Sequence, residues 1–391
     1  MSHIVHRNAV SAAKVLWSER RLLLCGSPMS AKRWAVFSLF VGVVSIFGQA
    51  PPTTLQTDLQ SHGWKTDRGV LHGSWLPNTI DFADDDSLWV AFPTEASKAL
   101  PSRDASYTGK VLHIASSGEV VAECNTGALQ WSSLRLFAQR ADGFTLDTTD
   151  KLISYDARCK QRSMYPTDDR TAVTPSPNRA LIFTRMRDNH VHVLNGDSLE
   201  VTRELYLPKS VHRNQVLFGD RLIMYPVTIP TRGCWQSQFS RMEVFASKSD
   251  PWVTIACARF NLLGDEHIVY SNAGGDAPLR IIGGTESGDA AYDPPQDAHI
   301  DLSVLNGFPV ESPASLRIVE ELIESKGRHS SLDMSGKFVG RDIVLLNMHT
   351  GTALLTIKVT MDSLTYSYAL SRDGKKFAVL LNSQLTVYRV P

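Results

Sequence analysis

The feature that most constrains this chain is a pattern of short alternating strands and tight turns that recurs beyond residue 60. In each unit a run rich in apolar residues is followed by a turn of Gly, Asp, Ser or Asn, and then by a second alternating run. Alternation with period two predicts half-buried strands, and the short polar turns predict antiparallel hairpins. The units are NTIDFADDDSLWVAF (78–92), KVLHIASSGEVVAEC (110–124), HVHVLNGDSLEVTREL (190–205), MEVFASKSDPWVTIAC (242–257) and DIVLLNMHTGTALLTIKV (342–359).

The hairpins recur at intervals that match the blades of a β-propeller. Most steps are about 40–50 residues, the length of one four-stranded blade. At that period about 340 residues make about seven blades, although six or eight also fit. The sequence therefore predicts an all-β fold, a single β-propeller over residues 60–391. Its one helix-like stretch, 312–325, is read as a helix or a short insertion.

A propeller must join its last blade to its first, because an open ring leaves unpaired strand edges. The terminal segment SQLTVYRV (383–390) is predicted to supply one strand of the closing blade. Residues near 70–76 are the candidates to complete that blade.

Two segments carry a resemblance to known propeller families. SRDGKKFAVLLNSQLTVYRV (371–390) resembles a blade of the WD40-like and YVTN-type propellers of exported bacterial proteins, and IDFADDDSLWVAF (80–92) is similar to blades of two-component sensor propellers. The resemblance implies a fold and names no activity. No Trp-Asp dipeptide ends a blade, so the chain departs from the eukaryotic WD40 pattern.

The N-terminal region has the features of a targeting segment. Residues 34–48 form an uncharged apolar run preceded by Lys32 and Arg33 and followed by GQA (48–50). This order is typical of a signal peptide, and the run is short for a membrane span, which needs about 20 residues. We read 29–50 as a signal peptide or short N-terminal anchor. On this interpretation translation begins at Met29, and residues 1–28 are an extension assigned upstream of the true start.

This interpretation places the body of the protein outside the cytoplasm, in the periplasm or the extracellular space. Membrane contact is expected only through residues 34–48, if they are not cleaved. Cys25 lies upstream of the apolar run and is lost on cleavage, so four of the five cysteines remain, and an even number in an exported chain favours disulfides. The sequence favours the pairs Cys124–Cys159 and Cys234–Cys257, because each pair falls in adjacent hairpins; four buried free thiols are the alternative.

Charge argues against nucleic acid as a partner. Residues 1–50 hold six basic residues and one acidic residue, which leaves 34 basic and 39 acidic residues in the body, a net charge of −5. Phosphate binding needs a positive surface.

Candidate ligand residues are few, and each has a structural interpretation beside the functional one. Asp84, Asp85 and Asp86 could bind Ca²⁺ through their carboxylates, but a hairpin turn explains them as well. His190 and His192 lie on one face of a strand, yet the sequence offers no third ligand, so no metal or other cofactor is predicted.

Two segments are candidates for a binding face. Residues 272–298 form the longest irregular stretch, and loops on a rigid scaffold often carry function. The acidic candidates there are Asp276, Asp289, Asp293 and Asp297. In RGCWQSQFSR (232–241), Trp235 and Phe239 could stack on a ligand or pack in the core.

No catalytic motif is present, so the leading hypothesis is a binding or interaction module of the cell envelope with an unknown protein or small-molecule partner. The alternative is a propeller hydrolase, lactonase or lyase with its site in the axial funnel. A quinoprotein is a third option, but the tryptophan-rich repeat expected of one is absent. An enzyme predicts convergent buried acids, and a binding module predicts exposed apolar side chains.

Overall fold

The computed structural model divides the chain into two compact units, Met1–Ala50 and Pro51–Pro391, and all described residues belong to the second. The predicted extension and targeting segment therefore lie outside the described residues. The structure describes residues 52–64, 79–83, 86–94, 106–130, 134–140, 142–148, 150–168, 171–186, 188–209, 211, 216–230, 235–246, 248–256, 258–263, 267–272, 280–283, 298–300, 311–312, 317–326, 337–347, 350–360 and 366–391.

The fold is all-β, as predicted. Its only described helix is a single 3₁₀ turn, Leu59–His62, and no described helix is long and apolar enough to cross a membrane. The first four blades contain four antiparallel strands each. Blade 1 is β2 (Ile80–Phe82), β3 (Leu88–Pro93), β4 (Ser106–Ile114) and β5 (Val120–Gln130); blade 2 is β6 (Arg135–Ala138), β7 (Gly143–Asp147), β8 (Lys151–Asp156) and β9 (Gln161–Pro166); blade 3 is β10 (Ala172–Pro175), β11 (Leu181–Arg185), β12 (His190–Asn195) and β13 (Val201–Tyr206); blade 4 is β14 (Leu217–Phe218), β15 (Leu222–Pro230), β16 (Trp235–Glu243) and β17 (Ser249–Ala256).

The remaining described strands form three more sheets, so the described part of the chain contains seven. Blade 7 takes its fourth strand, β1 (Thr53–Asp58), from the start of the described chain. Blade 5 is β18 (Ala258–Leu263), β19 (His267–Asn272) and β20 (Arg280–Gly283); blade 6 is β21 (Ala298–Ile300), β22 (Glu311–Ser312), β23 (Arg317–Lys326), β24 (Lys337–Asn347) and β25 (Thr352–Thr360); blade 7 is β26 (Tyr366–Leu370), β27 (Lys376–Leu381), β28 (Gln384–Arg389) and β1.

The helix considered for residues 312–325 is wrong. Residues 317–326 form β23, which pairs along its whole length with β24 and also with β21 and β22. Backbone pairing on both edges outweighs the local helical pattern of this segment.

The ring closes on β28, as predicted, but with a different partner. β1 lies antiparallel to β28, with Gln56 opposite Thr386 and Asp58 opposite Gln384. The strand that completes blade 7 thus lies before the predicted domain boundary at residue 60. Residues 70–76, which the sequence had suggested, lie outside the described part.

Burial falls from the inner to the outer strand of a blade. All five residues of β7 and of β11 are buried, whereas the outermost strands β9 and β13 are mostly exposed. Apolar side chains pack between consecutive sheets, which places the described core between blades 7 and 1, 1 and 2, 2 and 3, 3 and 4, and 6 and 7. This packing of neighbouring sheets face to face makes the fold a propeller.

A disulfide crosses from blade 1 to blade 2. Cys124 of β5 is joined to Cys159 in the turn between β8 and β9, with their Cα atoms 5.2 Å apart. This is one of the two pairs that the sequence favoured. Cys234 and Cys257 lie outside the described residues, so their pairing stays a prediction.

Candidate functional site

The first turns of several blades meet at one end of the inner strands, around the buried carboxylate of Asp81. Asp81 lies on β2, while Arg179 lies in the turn between β10 and β11 of blade 3. The Arg179 guanidinium donates hydrogen bonds to both oxygens, from Nη2 to Oδ1 at 2.9 Å and from Nη2 and Nε to Oδ2 at 2.7 and 3.0 Å. The backbone N–H of Ala138 in blade 2 donates to Oδ2 at 2.9 Å. One carboxylate therefore ties together three blades.

Arg372 of the first turn of blade 7 is electrostatically coupled to the same carboxylate. Burial lowers the pKa of Arg372, and the negative charge of Asp81 opposes that shift. This cluster is the nearest described equivalent of the convergent acids expected of an enzyme. Because Asp81 is occupied by Arg179 and two backbone N–H groups, its geometry suits holding blades together better than proton transfer.

A second buried ion pair joins the inner strands of blade 2. Arg135 of β6 pairs with Asp147 of β7, and its Nη1 donates to the carbonyl oxygen of Val173 in blade 3 at 3.0 Å. Burial raises the pKa of Asp147, and the positive charge of Arg135 only partly opposes that shift. This pair too bridges two blades.

A different cluster lies between the outer halves of blades 2 and 3, and we call it the blade 2–3 groove. It is formed by Tyr165 of β9, His190 and His192 of β12, and Glu204 and Tyr206 of β13. His192 is directly opposite Glu204 in the strand pair, and His190 is opposite Tyr206. All four of these side chains therefore lie on one face of the hairpin, the face towards Tyr165.

The groove holds its histidines in defined positions. The Tyr165 hydroxyl is hydrogen-bonded to Nδ1 of His192, and the rings of His190 and Tyr206 stack with centroids 4.4 Å apart. Nε2 of His190 lies 3.3 Å from Oε2 of Glu204, and Nε2 of His192 lies 3.9 Å from Oε1. Burial lowers the pKa of His192, and the neighbouring His190 adds to that effect.

Glu204 is the residue that the sequence analysis missed. The turn NGDS (195–198) was recognised, but counting outward from it in a regular hairpin places residue 192 opposite residue 201. In the structure Leu194 pairs with Val201, and a register shift between Val193 and Leu194 then brings Glu204 opposite His192. Turn counting alone could not have found this third ligand.

The other predicted site residues lie apart from this groove. Asp86 lies in the turn between β2 and β3, as the turn interpretation required, and pairs with Lys376 at 3.1 Å. Phe239 is fully buried, so it packs in the core. Trp235 begins β16. The remaining candidates lie outside the described residues, so the Ca²⁺ prediction and the acidic binding face stay predictions; they are Asp84, Asp85, Asp276, Asp289, Asp293 and Asp297.

The large apolar side chains that are exposed in the described part of the chain occupy similar places in their blades. They lie on the outermost strand of a blade, or in the turn that leads into it, in four consecutive blades. We call them the apolar rim residues: Val121, Met164, Val201, Tyr206 and Phe245, which are 51%, 57%, 44%, 69% and 54% exposed.

Comparison with known proteins adds the following. No family model and no curated protein matches the sequence. Similar solved structures include "Crystal structure of RRP9 WD40 repeats" (TM-score 0.47, 12% identity, 88% of this chain and 99% of that one) and "Crystal Structure of Mitotic Checkpoint Complex" (0.45, 13%, 87% and 96%). A third is "Kuenenia stuttgartiensis Hydrazine Synthase" (0.44, 13%, 83% and 97%). Identities this low concern the fold alone.

Proposed function

We propose that this chain is an exported β-propeller that acts as a protein interaction module of the cell envelope, with the apolar rim residues as its docking surface. The observation that carries the proposal is that, among the residues whose side chains the structure describes, these five lie at the outer edges of blades 1–4. A single exposed apolar residue is ordinary on a protein surface. A set that follows the rims of consecutive blades offers a partner an extended contact, and exposed apolar groups of this kind mark protein interaction sites.

The partner that suits this surface is a protein with exposed apolar side chains of its own. Aromatic and methionine side chains are enriched in interface cores, and the rim supplies Tyr206, Phe245 and Met164. Phe245 is well supported, because Arg203 of blade 3 donates a hydrogen bond to its carbonyl oxygen across the gap between blades. This hydrogen bond ties the backbone at Phe245 to blade 3.

Two observations support export. The apolar run 34–48 has the flanks of a signal peptide, and β1 begins at Thr53, after the expected cleavage region at 48–50. A mature chain cleaved there keeps every described strand of the propeller. The Cys124–Cys159 disulfide also suits an oxidising compartment such as the periplasm.

Site-specific photo-crosslinking tests the docking surface in intact cells. A photoreactive phenylalanine analogue is placed at Met164 or at Phe245, and in the control at Thr356, which is exposed on the outermost strand of blade 6. We expect one discrete protein adduct from both rim positions and none from position 356. The same cells fractionated into cytoplasm and envelope show where the chain resides.

The identified partner is then purified and its affinity measured. We expect Phe245→Ser to weaken binding about tenfold or more, as removal of an aromatic anchor does, and Thr356→Ser to leave it unchanged. Equal adducts at all three positions, or equal affinities for both variants, would contradict the docking surface. No described residue set favours an enzyme as a second function, because the buried acids Asp81 and Asp147 are both held by arginines.

A further inference from the structure

We propose that His190, His192 and Glu204 form a binding site for a divalent transition metal ion of the Zn²⁺ class, in the blade 2–3 groove. Two imidazoles and one carboxylate are a common donor set for such ions in proteins. The proposal does not depend on the docking surface, because none of its three ligands is an apolar rim residue, although Tyr206 contributes to both.

The strand pairing presents the three donors together before any metal binds. His190 and His192 are two residues apart on β12, so both project from one face, and the register of β13 puts Glu204 directly opposite His192. A ligand set fixed by a backbone ladder needs little reorganisation, which is the condition for tight metal binding.

The distances between the donor atoms fit a single ion. Two donors bound to one tetrahedral zinc ion at about 2.0–2.1 Å lie about 3.3–3.4 Å from each other. The His190 Nε2–Glu204 Oε2 distance is 3.3 Å and the His192 Nε2–Glu204 Oε1 distance is 3.9 Å. All three donor atoms lie within 4.8 Å of one another.

Neighbouring tyrosines hold the two histidine rings in place. Metal-bound histidines usually engage their other ring nitrogen in a hydrogen bond, which fixes the ring and its tautomer. Nδ1 of His192 is bonded to the Tyr165 hydroxyl, which leaves Nε2 for the metal, and Thr184 Oγ1 lies 3.5 Å from the same hydroxyl. The stacked ring of Tyr206 fixes the plane of His190.

The His190 nitrogen that lies 3.3 Å from Glu204 also lacks a hydrogen bond. This nitrogen, Nε2, is buried, with less than 1 Å² exposed, and makes no hydrogen bond to any residue that the structure describes. Buried polar atoms are rarely left without a hydrogen bond, and each exception asks for an explanation such as an ion. A metal ion bound between Nε2 of His190 and the Glu204 carboxylate would give this nitrogen a partner.

The outer side of the site is open. The side chain of Glu204 is 56% exposed, whereas those of His190 and His192 are 14% and 17% exposed. Three protein ligands with one open side leave a position for water or for a donor from a bound partner.

The test uses the untagged chain from an exporting host, stripped with EDTA and titrated calorimetrically with Zn²⁺, with Fe²⁺ in a parallel anaerobic titration. We expect one equivalent of Zn²⁺ to bind and to raise Tm, since binding to the native state alone stabilises it. His192→Gln and Glu204→Gln should each weaken the affinity at least tenfold. Tyr165→Phe should weaken it about tenfold by removing the hydrogen bond to His192 Nδ1, without removing a ligand.

The matched control is His62→Gln, which removes a histidine that is also paired with a glutamate, Glu123, at 2.9 Å. This variant should bind Zn²⁺ like the wild type. The proposal is overturned if the wild type binds no Zn²⁺ and no Fe²⁺, if Glu204→Gln binds as tightly as the wild type, or if His62→Gln loses as much affinity as His192→Gln. Glu204 is half-exposed, so we expect Glu204→Gln to fold. This variant keeps the test decisive if His192→Gln does not fold.

Discussion

At the scale of single residues, Asp81 shows how one side chain can hold distant parts of a ring together. Its carboxylate is buried and receives Arg179, which lies 98 positions further along the chain. Asp81→Asn removes the negative charge and leaves the Arg179 guanidinium buried without it. We expect a loss of about 3–5 kcal/mol in the free energy of unfolding, measured by urea denaturation.

The double variant Asp81→Asn/Arg179→Met is the control for this prediction. Removing both charges is far less costly than removing one, so the double variant should recover much of the lost stability. A loss below about 1 kcal/mol in the single variant, the range of exposed pairs, would show that the ion pair does not hold the blades.

Glu123 gives the second prediction at this scale, because it ties the start of the propeller to blade 1. Its carboxylate receives His62 at 2.9 Å and Lys110 at 3.0 Å, and these partners lower the pKa of Glu123. Since the folded pKa lies below the unfolded one, the stabilisation is present above about pH 4.3 and is lost as the pH falls through the folded value.

Glu123→Gln should therefore lower Tm slightly at pH 7. The loss in the free energy of unfolding should be less than about 1 kcal/mol, because the pair is half-exposed. At pH 3 the change in Tm should be smaller. Thermal melts across pH 3–7 measure this difference, with Glu119→Gln in the neighbouring exposed turn as the control. An equal drop at both pH values would contradict the assignment.

At the scale of strands and turns, Gly196 links two turns of blade 3. A Cβ at this position would lie 2.0 Å from the carbonyl oxygen of Arg179, and the Gly196 N–H donates to the carbonyl oxygen of Ala180 at 2.9 Å. Gly196→Ala must displace the turn that carries Arg179, so we expect it to cost about 1–3 kcal/mol, measured by urea denaturation.

Gly127→Ala is the control, because that glycine has a positive φ of 70° but no atom within 4 Å of the place that a Cβ would occupy. It reports the conformational cost of alanine without a clash, about 1 kcal/mol. If Gly196→Ala costs no more than Gly127→Ala, the two turns of blade 3 are not in the close contact described.

The same scale shows what the sequence could and could not predict. Alternation and turn residues predicted hairpins of blades 1, 3, 4 and 6, because both signals are local. β23 was missed because Ile318, Val319, Leu322 and Ile323 recur at a helical spacing, and its neighbours in the sheet are not visible locally. Glu204 faces His192 only because of a register shift between Val193 and Leu194, which has no local sequence signal. The Asp81–Arg179 pair depends on the closed ring and has no local signal either.

At the scale of the whole molecule, the Cys124–Cys159 disulfide fastens blade 1 to blade 2. The two residues are separated by 35 positions, and a cross-link of that span restricts the unfolded chain by about 3–4 kcal/mol. Cys124→Ala/Cys159→Ala should lower stability by this amount, measured by urea denaturation in oxidising buffer. Peptide mapping without reductant should show the 124–159 link in the wild type; its absence, or an unchanged stability, would contradict the assignment.

The closed ring is the central claim about the fold, and the pairing of β1 with β28 is where it can be measured most directly. Gln56 and Thr386 lie opposite each other in this pair, so cysteines at the two positions should form a disulfide under mild oxidation. Gln56→Cys/Lys358→Cys is the control, since Lys358 lies on β25 of blade 6. Rapid cross-linking of 56 with 386, a raised Tm and no link between 56 and 358 are the predicted results. Failure of the 56–386 link in the folded protein would show that β1 does not close the propeller.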